Sequence, residues 1–255
     1  MNYKLFYGQS ERSFPWYDGL QVSANGSMDV SLIGVDIFEI NEENQNIRWY
    51  DLFYSKLETL VSREEVYEAH YRHPNRDLEV YGSFAHRLWD QLVSYCNPKA
   101  KTEKDFFNLY CDLCRGDFHE GAFLPALIPH VYLNWNVSKK DEDIPCIADF
   151  VFKNSAFGTN NLVVVEIDGS SHYTKYNSIS GVNVASEEIY ANHLKKDRWL
   201  RKQGFKVFRI GNAEINKIMA LPEKERFSCF YHFFRDVFGD VVYIEENDED
   251  CQYFI

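Results

Sequence analysis

The chain has 255 residues, of which 45% are hydrophobic, 16% aromatic and 26% charged, and this composition excludes extensive disorder. A chain of this length holds one large domain, or a compact domain with a substantial extension. The formal net charge of −12 argues against a nucleic-acid partner unless basic residues are clustered, because phosphate binding depends on cationic groups.

The cellular compartment is indicated by the sequence features of secreted and membrane proteins that are missing here. Its first residues contain no apolar core of signal-peptide length, and no run of residues approaches a membrane span. Six cysteines without secretory features indicate reduced thiols rather than a disulfide framework. We therefore expect a cytoplasmic protein with no membrane partner. Cys111 and Cys114 form a CxxC, but without a second such pair packing explains them better than zinc does.

Residues 1–97 predict a mainly helical module. The run Ser31–Ile40 resembles a strand, and helical spacing begins near Arg48. Ser62 has the form of a capping-box residue, and a further apolar stripe extends over Asp77–Tyr95. The residues do not indicate a role for this module, which is a candidate surface for a protein partner or a homodimer.

Asn97-Pro98 marks the boundary of a second predicted domain, residues 98–240. After it, Thr102 is predicted to cap a helix, and Glu103 lies in the first turn of that helix. A strand is predicted around residues 128–133.

Two apolar runs of strand length, Ile144–Phe152 and Leu162–Asp168, are joined by turn-type residues, which is typical of adjacent antiparallel strands. Neither run alternates cleanly, so we expect both faces of these strands to be covered. The runs contain Asp149, Glu166 and Asp168. Glu166 and Asp168 are two residues apart and share a face in a strand, and a paired register could bring Asp149 beside them.

Buried carboxylates that lie close together repel one another unless they take up protons or hold a cation. Ligation by carboxylate oxygens suits Mg2+ or Mn2+ rather than zinc, so we expect a site for one of these ions. The alternative is that Asp149 and Glu166 lie at strand ends and face water, and that Asp168-Gly169 is ordinary turn chemistry.

Basic charge is concentrated directly after these acids. Between Ser170 and Ile210, eight Lys and Arg residues stand against three acidic residues, a net charge of +5. The segment after His172 reads as a polar loop, and a helix is predicted from Ser186 to Gly204. On one face of this helix lie three basic residues, which form either a solvated face or a strip that contacts phosphates: Lys195, Arg198 and Lys202.

The last predicted elements are a strand with Arg209 and a helix that opens at Leu221-Pro222. An aromatic stripe on that helix is expected in the core. Residues 241–255 contain five acidic residues, Glu245, Glu246, Asp248, Glu249 and Asp250. Such a run is usually a solvated tail, although it could also shield a basic groove.

The predicted order is helix, three strands, helix, strand and helix, with carboxylates on the second and third strands. Over about residues 102–239 this order resembles the restriction-endonuclease-like fold of the PD-(D/E)xK nuclease superfamily. The resemblance is closest to the very-short-patch-repair-endonuclease-like branch, whose signature E-x-D-G-x-x-H is present from Glu166 to His172. Further features of that branch have counterparts in Asp197, Arg198, Leu200, Gly204 and Arg209.

The resemblance implies an α/β fold with a mixed central sheet flanked by helices, and Mg2+ or Mn2+ bound by Asp149 and Glu166. Asp168 occupies the position where the superfamily usually has a lysine that helps to activate water. His172 could replace that lysine as a general base or a phosphate contact, and Lys195 could supply the charge from the next helix. Asp168 could instead be a further metal ligand.

Glu103 matches an acid on the first helix that some members use as a second-shell or second-metal ligand. The implied function is metal-dependent hydrolysis of phosphodiester bonds in nucleic acid, DNA rather than RNA, in restriction, repair or phage defence. The expected substrate-binding residues are Arg198, Lys202 and Arg209, because such cations steady charge on phosphate oxygens.

Three alternatives stay open at this point. One is a nuclease-like domain that binds nucleic acid or a protein partner without cutting, which the missing lysine favours. A second is a sensor or effector subunit of a multi-protein defence system. The third is a metal phosphohydrolase that acts on a small molecule.

Overall fold

The computed structural model describes residues 3–7, 16–22, 28–33, 36–40, 47–72, 77–116, 121–134, 146–153, 162–202 and 204–238. The predicted acidic tail at residues 241–255 lies outside these ranges. Among the helices of the described ranges, none combines the length and the apolar character needed to cross a bilayer.

The elements lie in the chain as follows. The strands are β1 (Tyr3–Tyr7), β2 (Trp16–Val22), β3 (Met28–Ile33), β4 (Asp36–Ile40), β5 (Ile128–Asn134), β6 (Cys146–Lys153), β7 (Leu162–Asp168), β8 (Thr174–Asn177), β9 (Val182–Ala185) and β10 (Lys206–Gly211). The helices are α1 (Trp49–Leu60), α2 (Arg63–Arg72), α3 (Asp77–Tyr95), α4 (Lys101–Gly116), α5 (Glu187–Lys202), α6 (Asn212–Met219) and α7 (Glu223–Phe238), with a 3-10 turn at Ser170–His172.

A six-stranded sheet has the order β10-β7-β6-β5-β1-β4. Strands β5, β6 and β7 form an antiparallel meander, and β10 joins β7 in parallel. The parallel pair requires a crossover connection, which α5 provides, because a tight turn can join only antiparallel strands. The chain is therefore α/β with a mixed sheet, as the sequence predicts.

The first 97 residues contain helices, but they also contribute two strands to this sheet. Strand β1 pairs antiparallel with both β4 and β5, and β2 and β3 form a separate two-stranded sheet. The single strand predicted at Ser31–Ile40 is divided between β3 and β4. The mainly helical prediction thus missed β1 and β2, because runs of only five and seven residues are too short to give a clear alternation signal. The boundary at Asn97-Pro98 lies in the connection between α3 and α4, and the division into domains stays a prediction.

Aromatic side chains dominate the hydrophobic core. The ring of Phe106 on α4 lies 5.1 to 5.5 Å, between centroids, from those of Phe150, Phe230 and Phe234. The apolar stripe of α7 is therefore core, as predicted. Both cysteines of the CxxC are buried in α4, and Sγ of Cys114 accepts a hydrogen bond from the indole N–H of Trp49 at 3.1 Å.

Helix ends test the predicted capping residues. The Ser62 hydroxyl accepts a hydrogen bond from the Glu65 backbone N–H at 3.2 Å, and the Glu65 carboxylate accepts one from the Ser62 N–H at 3.0 Å, which confirms the capping box. The predicted cap at Thr102 is wrong. Helix α4 begins at Lys101, and the buried Thr102 instead donates its hydroxyl to Oδ1 of Asn212, 2.7 Å away, so it joins α4 to the start of α6.

The polar segment after His172, predicted as a loop, contains the 3-10 turn and the hairpin of β8 and β9. Most residues of this hairpin are exposed, so its sequence has no need of the apolar alternation that marks a half-buried strand. Gly181, with φ of +69°, adopts the left-handed conformation that glycine favours in the turn between the two strands.

Candidate functional site

Asp149 and Glu166 lie at the end of the β6–β7 pair. The regular pairing reaches Phe150 opposite Val165, and these two acids occupy the next position along the strands. There the backbone N–H of Ile167 donates to Oδ2 of Asp149 at 2.7 Å. Because opposed residues of antiparallel strands carry their side chains on the same face, the structure brings the two carboxylates together.

Glu166 is only 1% exposed. One carboxylate oxygen, Oε2, accepts a hydrogen bond from Nζ of Lys196 at 2.6 Å, and the same Nζ donates to the carbonyl of Ile147 at 2.7 Å. The other oxygen, Oε1, is buried and has no hydrogen-bond partner among the described residues. A buried carboxylate oxygen without a donor is unfavourable, so this atom is available to a cation.

The ionised form of Asp149 is destabilised at this position. Burial, followed by the charges of Glu166 and Glu103, raises the pKa of Asp149 to about 7. Glu103 lies in the first turn of α4, and its Oε2 accepts a hydrogen bond from the backbone N–H of Asn97 at 3.0 Å. Burial also raises the pKa of Glu103, and the negative charge of Glu166 raises it further. Asp149, Glu166 and Glu103 therefore lie close enough for their charges to repel one another. A bound divalent cation would reduce this repulsion.

Asp168 faces cations rather than the other acids. Its Oδ1 accepts a hydrogen bond from Nη1 of Arg209 at 2.7 Å and lies 2.9 Å from Nδ1 of His172. Burial alone would raise the pKa of Asp168, but His172 and Arg209 together hold it below its ordinary value. In return, Asp168 raises the pKa of His172.

Arg209, predicted as a substrate-binding residue, lies opposite Glu166 in the parallel register of β10 and β7. Besides its bond to Asp168, its Nε donates to Oδ1 of Asp197 at 3.1 Å, and its Nη2 contacts the same carboxylate. The guanidinium is thus shared between two carboxylates, so Arg209 orients Asp168 and Asp197 as well as adding positive charge to the site.

The sequence analysis named Lys195 as one residue that could supply the missing positive charge. That side chain is exposed, and the adjacent Lys196 is the one that reaches Glu166. The helical phase of α5 explains the difference. Leu200 is fully buried, and Lys196 precedes it by one helical turn. The buried leucine was the signal that could have identified Lys196, because residues four apart share a face of a helix.

His193 is a second residue that the sequence did not indicate. It precedes Leu200 by seven residues, on the same face of α5, and its ring stacks on that of His172 with centroids 4.5 Å apart. Nδ1 of His193 is buried and lacks a hydrogen-bond partner among the described residues. Asp168, His172 and His193 each offer one potential ligand atom, and these atoms lie within 4.8 Å of one another.

The predicted phosphate-contacting strip is accessible. Lys195, Arg198 and Lys202 are all exposed on α5. A solvated face accounts for this exposure as well as a nucleic-acid contact does, so the role of the strip stays a prediction.

Comparisons of the chain with protein-family models, with curated proteins and with solved structures found no match. Its function therefore has to be inferred from the residues of the site and their geometry.

Proposed function

We propose that this chain is a metal-dependent nuclease that hydrolyses phosphodiester bonds of nucleic acid, with Mg2+ or Mn2+ bound by Asp149 and Glu166. The observation that carries this proposal is the buried Oε1 of Glu166, which lacks a hydrogen-bond donor among the described residues and lies beside a second, partly buried acid, Asp149. Two carboxylates in such surroundings fit an oxygen-ligated divalent cation. Glu103 is proposed to support the site from α4.

The order of elements supports the same proposal. Helix α4 is followed by the meander β5–β7, then by α5 and the parallel strand β10. This is the order expected for the restriction-endonuclease-like fold that the motif from Glu166 to His172 resembles. Asp149 lies on the second strand of the meander and Glu166 on the third, where that fold carries its metal ligands. We propose membership of the PD-(D/E)xK superfamily on these grounds.

Lys196 is proposed to replace the lysine that the superfamily carries on the third strand. Its Nζ lies against Glu166, although it comes from α5 rather than from β7. A cation at this position stabilises negative charge that develops on the scissile phosphate. The function of the strand lysine can therefore be supplied from the neighbouring helix.

When bound, Mg2+ would polarise the phosphate and lower the pKa of a coordinated water. His172 would act as the general base that takes a proton from the attacking water, and solvent would supply a proton to the leaving oxygen. Asp168 holds the imidazole of His172 in place and stabilises its protonated form. Arg198 and Lys202 are proposed to bind the flanking phosphates.

One observation favours a second candidate, a nuclease-like domain that binds nucleic acid or a protein partner without cutting. Lys196 already neutralises Glu166 through a direct ion pair, with 2.6 Å between Nζ and Oε2. If this ion pair persists in the presence of divalent ions, the carboxylates bind no metal. Calorimetry with Mn2+ separates the two candidates, because only the nuclease requires binding.

The decisive experiment is a plasmid-nicking assay with and without Mg2+, applied to the wild type, Glu166→Gln and Asp149→Asn. We expect each substitution to reduce cleavage by at least about 100-fold, because both remove a proposed metal ligand. Glu188→Gln is the matched control, since Glu188 is an exposed acid in the first turn of α5, and it should cleave like the wild type. Circular dichroism verifies folding. Mg2+-dependent cleavage by both site variants at the wild-type rate would refute the assignment.

A further inference from the structure

The stacked imidazoles of His172 and His193, with the carboxylate of Asp168, form a cluster that the proposed magnesium site does not use as a unit. We propose that these three residues bind a second cation of the transition-metal class, such as Zn2+ or Co2+. This inference goes beyond the nuclease assignment and does not depend on it, because it concerns metal binding by the free chain. Binding of this ion and the proposed role of His172 as a general base exclude each other, since a metal-bound or Asp168-paired nitrogen cannot also accept a proton from water.

Distances within the cluster suit a common ion. Oδ1 of Asp168 and Nδ1 of His172 are 2.9 Å apart, and one ligand atom from each of the three residues lies within 4.8 Å of the others. Two ligand atoms that are each about 2.0–2.2 Å from one ion are separated by about 3.0–3.5 Å. The rings of His172 and His193 are stacked with an interplanar angle of 27°, and a ring nitrogen ligates in the plane of its ring, so one of the two imidazoles has to rotate for both to bind the same ion.

The buried Nδ1 of His193 is the second observation. It has no hydrogen-bond partner among the described residues, although buried ring nitrogens are usually paired. Packing of His193 against the ring of His172 does not satisfy this polar atom, whereas a metal ion would. Imidazole nitrogen is a preferred ligand of zinc, copper, iron and nickel, while Mg2+ prefers oxygen. The ligand set therefore selects a different class of ion from the one proposed at Asp149 and Glu166.

Backbone geometry holds the ligands in place. Asp168 ends β7, and the following 3-10 turn, in which the His172 N–H donates to the Gly169 carbonyl at 3.0 Å, returns His172 toward it. A Cβ at Gly169 would lie 2.8 Å from the Asn212 side chain, so the turn is closely packed. Helix α5 supplies His193 from the other side.

Asp168 can bind an ion while it retains Arg209, because a carboxylate has about four acceptor positions. The positive charges of Arg209 and Lys196 also act on His193, so the ligand atoms, rather than an excess of negative charge, favour a metal ion at this cluster.

Cobalt absorption spectroscopy tests the proposal. The untagged, EDTA-treated full chain is titrated with Co2+ in a buffer with excess Mg2+ and without nucleic acid. We expect visible d–d bands that reach saturation in the wild type, and affinity at least about tenfold lower in His193→Ala and His172→Ala. His193→Gln provides a second variant of similar size should the alanine variant not fold. His86→Ala is the matched control, since His86 is exposed on α3 outside the cluster, and it should bind like the wild type.

Asp149→Asn separates this proposal from the nuclease assignment. It should lose Mg2+-dependent cleavage yet keep the Co2+ spectrum, because Asp149 belongs only to the oxygen-ligated site. Wild-type affinity in both histidine variants would overturn the transition-metal site. So would loss of the Co2+ spectrum in Asp149→Asn with retention in His193→Ala, since that result assigns the ion to the carboxylate pair.

Discussion

The two faces of the β6–β7 pair cover side chains of opposite character, aromatic rings on one face and carboxylates on the other. The ring of Phe150 packs on Phe106 and Phe107 of α4, with centroids 5.3 and 6.3 Å away. Asp149, the preceding residue, is on the other face beside Glu166, because successive side chains of a strand alternate. Apolar burial on the first face stabilises the fold. Carboxylate burial on the second destabilises it, and a bound cation can reverse that effect.

The largest expected effect comes from the apolar face. Phe150→Ala should lower the free energy of unfolding by about 3–5 kcal/mol, because it leaves a cavity among the rings of α4 and α7. Urea denaturation measures the change. Ile179→Ala is the control, since that side chain is 97% exposed, and it should shift the free energy by less than about 0.5 kcal/mol. Equal shifts in the two variants would contradict the assignment of Phe150 to the core.

On the charged face, Lys196→Met should lower the free energy of unfolding by about 3 kcal/mol, because it leaves the buried Glu166 without its cation. The neighbouring Lys195→Met makes the same chemical change at an exposed position and should have almost no effect. Denaturation is measured in EDTA at pH 8. If the two variants are equally stable, the ion pair does not compensate the burial of Glu166.

Asp149→Asn should stabilise the protein when divalent cations are absent. The folded-state pKa of about 7 lies above the ordinary value of about 3.9, so the folded chain binds more protons than the unfolded chain between those pH values. The stability of the wild type therefore falls as pH rises through this range. Asparagine avoids the charge and still accepts the hydrogen bond from Ile167.

Thermal denaturation at pH 8 in EDTA should favour Asp149→Asn over the wild type by about 2 kcal/mol, since each pKa unit corresponds to about 1.4 kcal/mol and coupling to Glu166 reduces the total. The difference should vanish near pH 4. Added Mg2+ should stabilise the wild type but not the variant. A variant that is less stable than the wild type at pH 8 would show that the Asp149 carboxylate is not destabilised.

The smallest effect is expected at the contact between α4 and the start of α6. Asn212→Ala should lower the free energy of unfolding by about 1 kcal/mol, because it removes the acceptor of the buried Thr102 hydroxyl. Thr102→Val and the double variant complete a thermodynamic cycle in urea. Additive effects of the two single changes would mean that this hydrogen bond does not couple α4 to α6.

Strongly apolar elements were predictable from the sequence. The strands β6 and β7 and the stripe of α7 contain continuous or helically spaced large apolar residues, so the type of each element followed from the pattern. The pattern allowed Asp149 to lie beside Glu166 and Asp168, but the register that sets it opposite Glu166 alone was not specified by the sequence. The exposed hairpin β8–β9 and the eight-residue helix α6 were missed, since neither has enough buried residues to create a period.

Side-chain partners across elements were harder to predict. Lys195 and Lys196 are chemically identical, and only the phase of α5, fixed by the burial of Leu200, decides which one reaches Glu166. The pairing of Arg209 with Asp197 joins a strand to a helix, and no spacing in the sequence specifies such a contact. Patterns thus located the acids, while the arrangement of the cations depended on tertiary packing.

The pairing of β1 with β5 has a consequence for biogenesis. Phe6 is in register with Tyr132, so this neighbour of the meander lies more than 120 positions earlier in the chain. A ribosome that adds about 5–20 residues per second needs about 6–25 s to cover that interval. A newly made amino-terminal segment must therefore wait for its partner, and until β5 is made the edge of β1 that later pairs with β5 is a place where nascent chains could associate with one another.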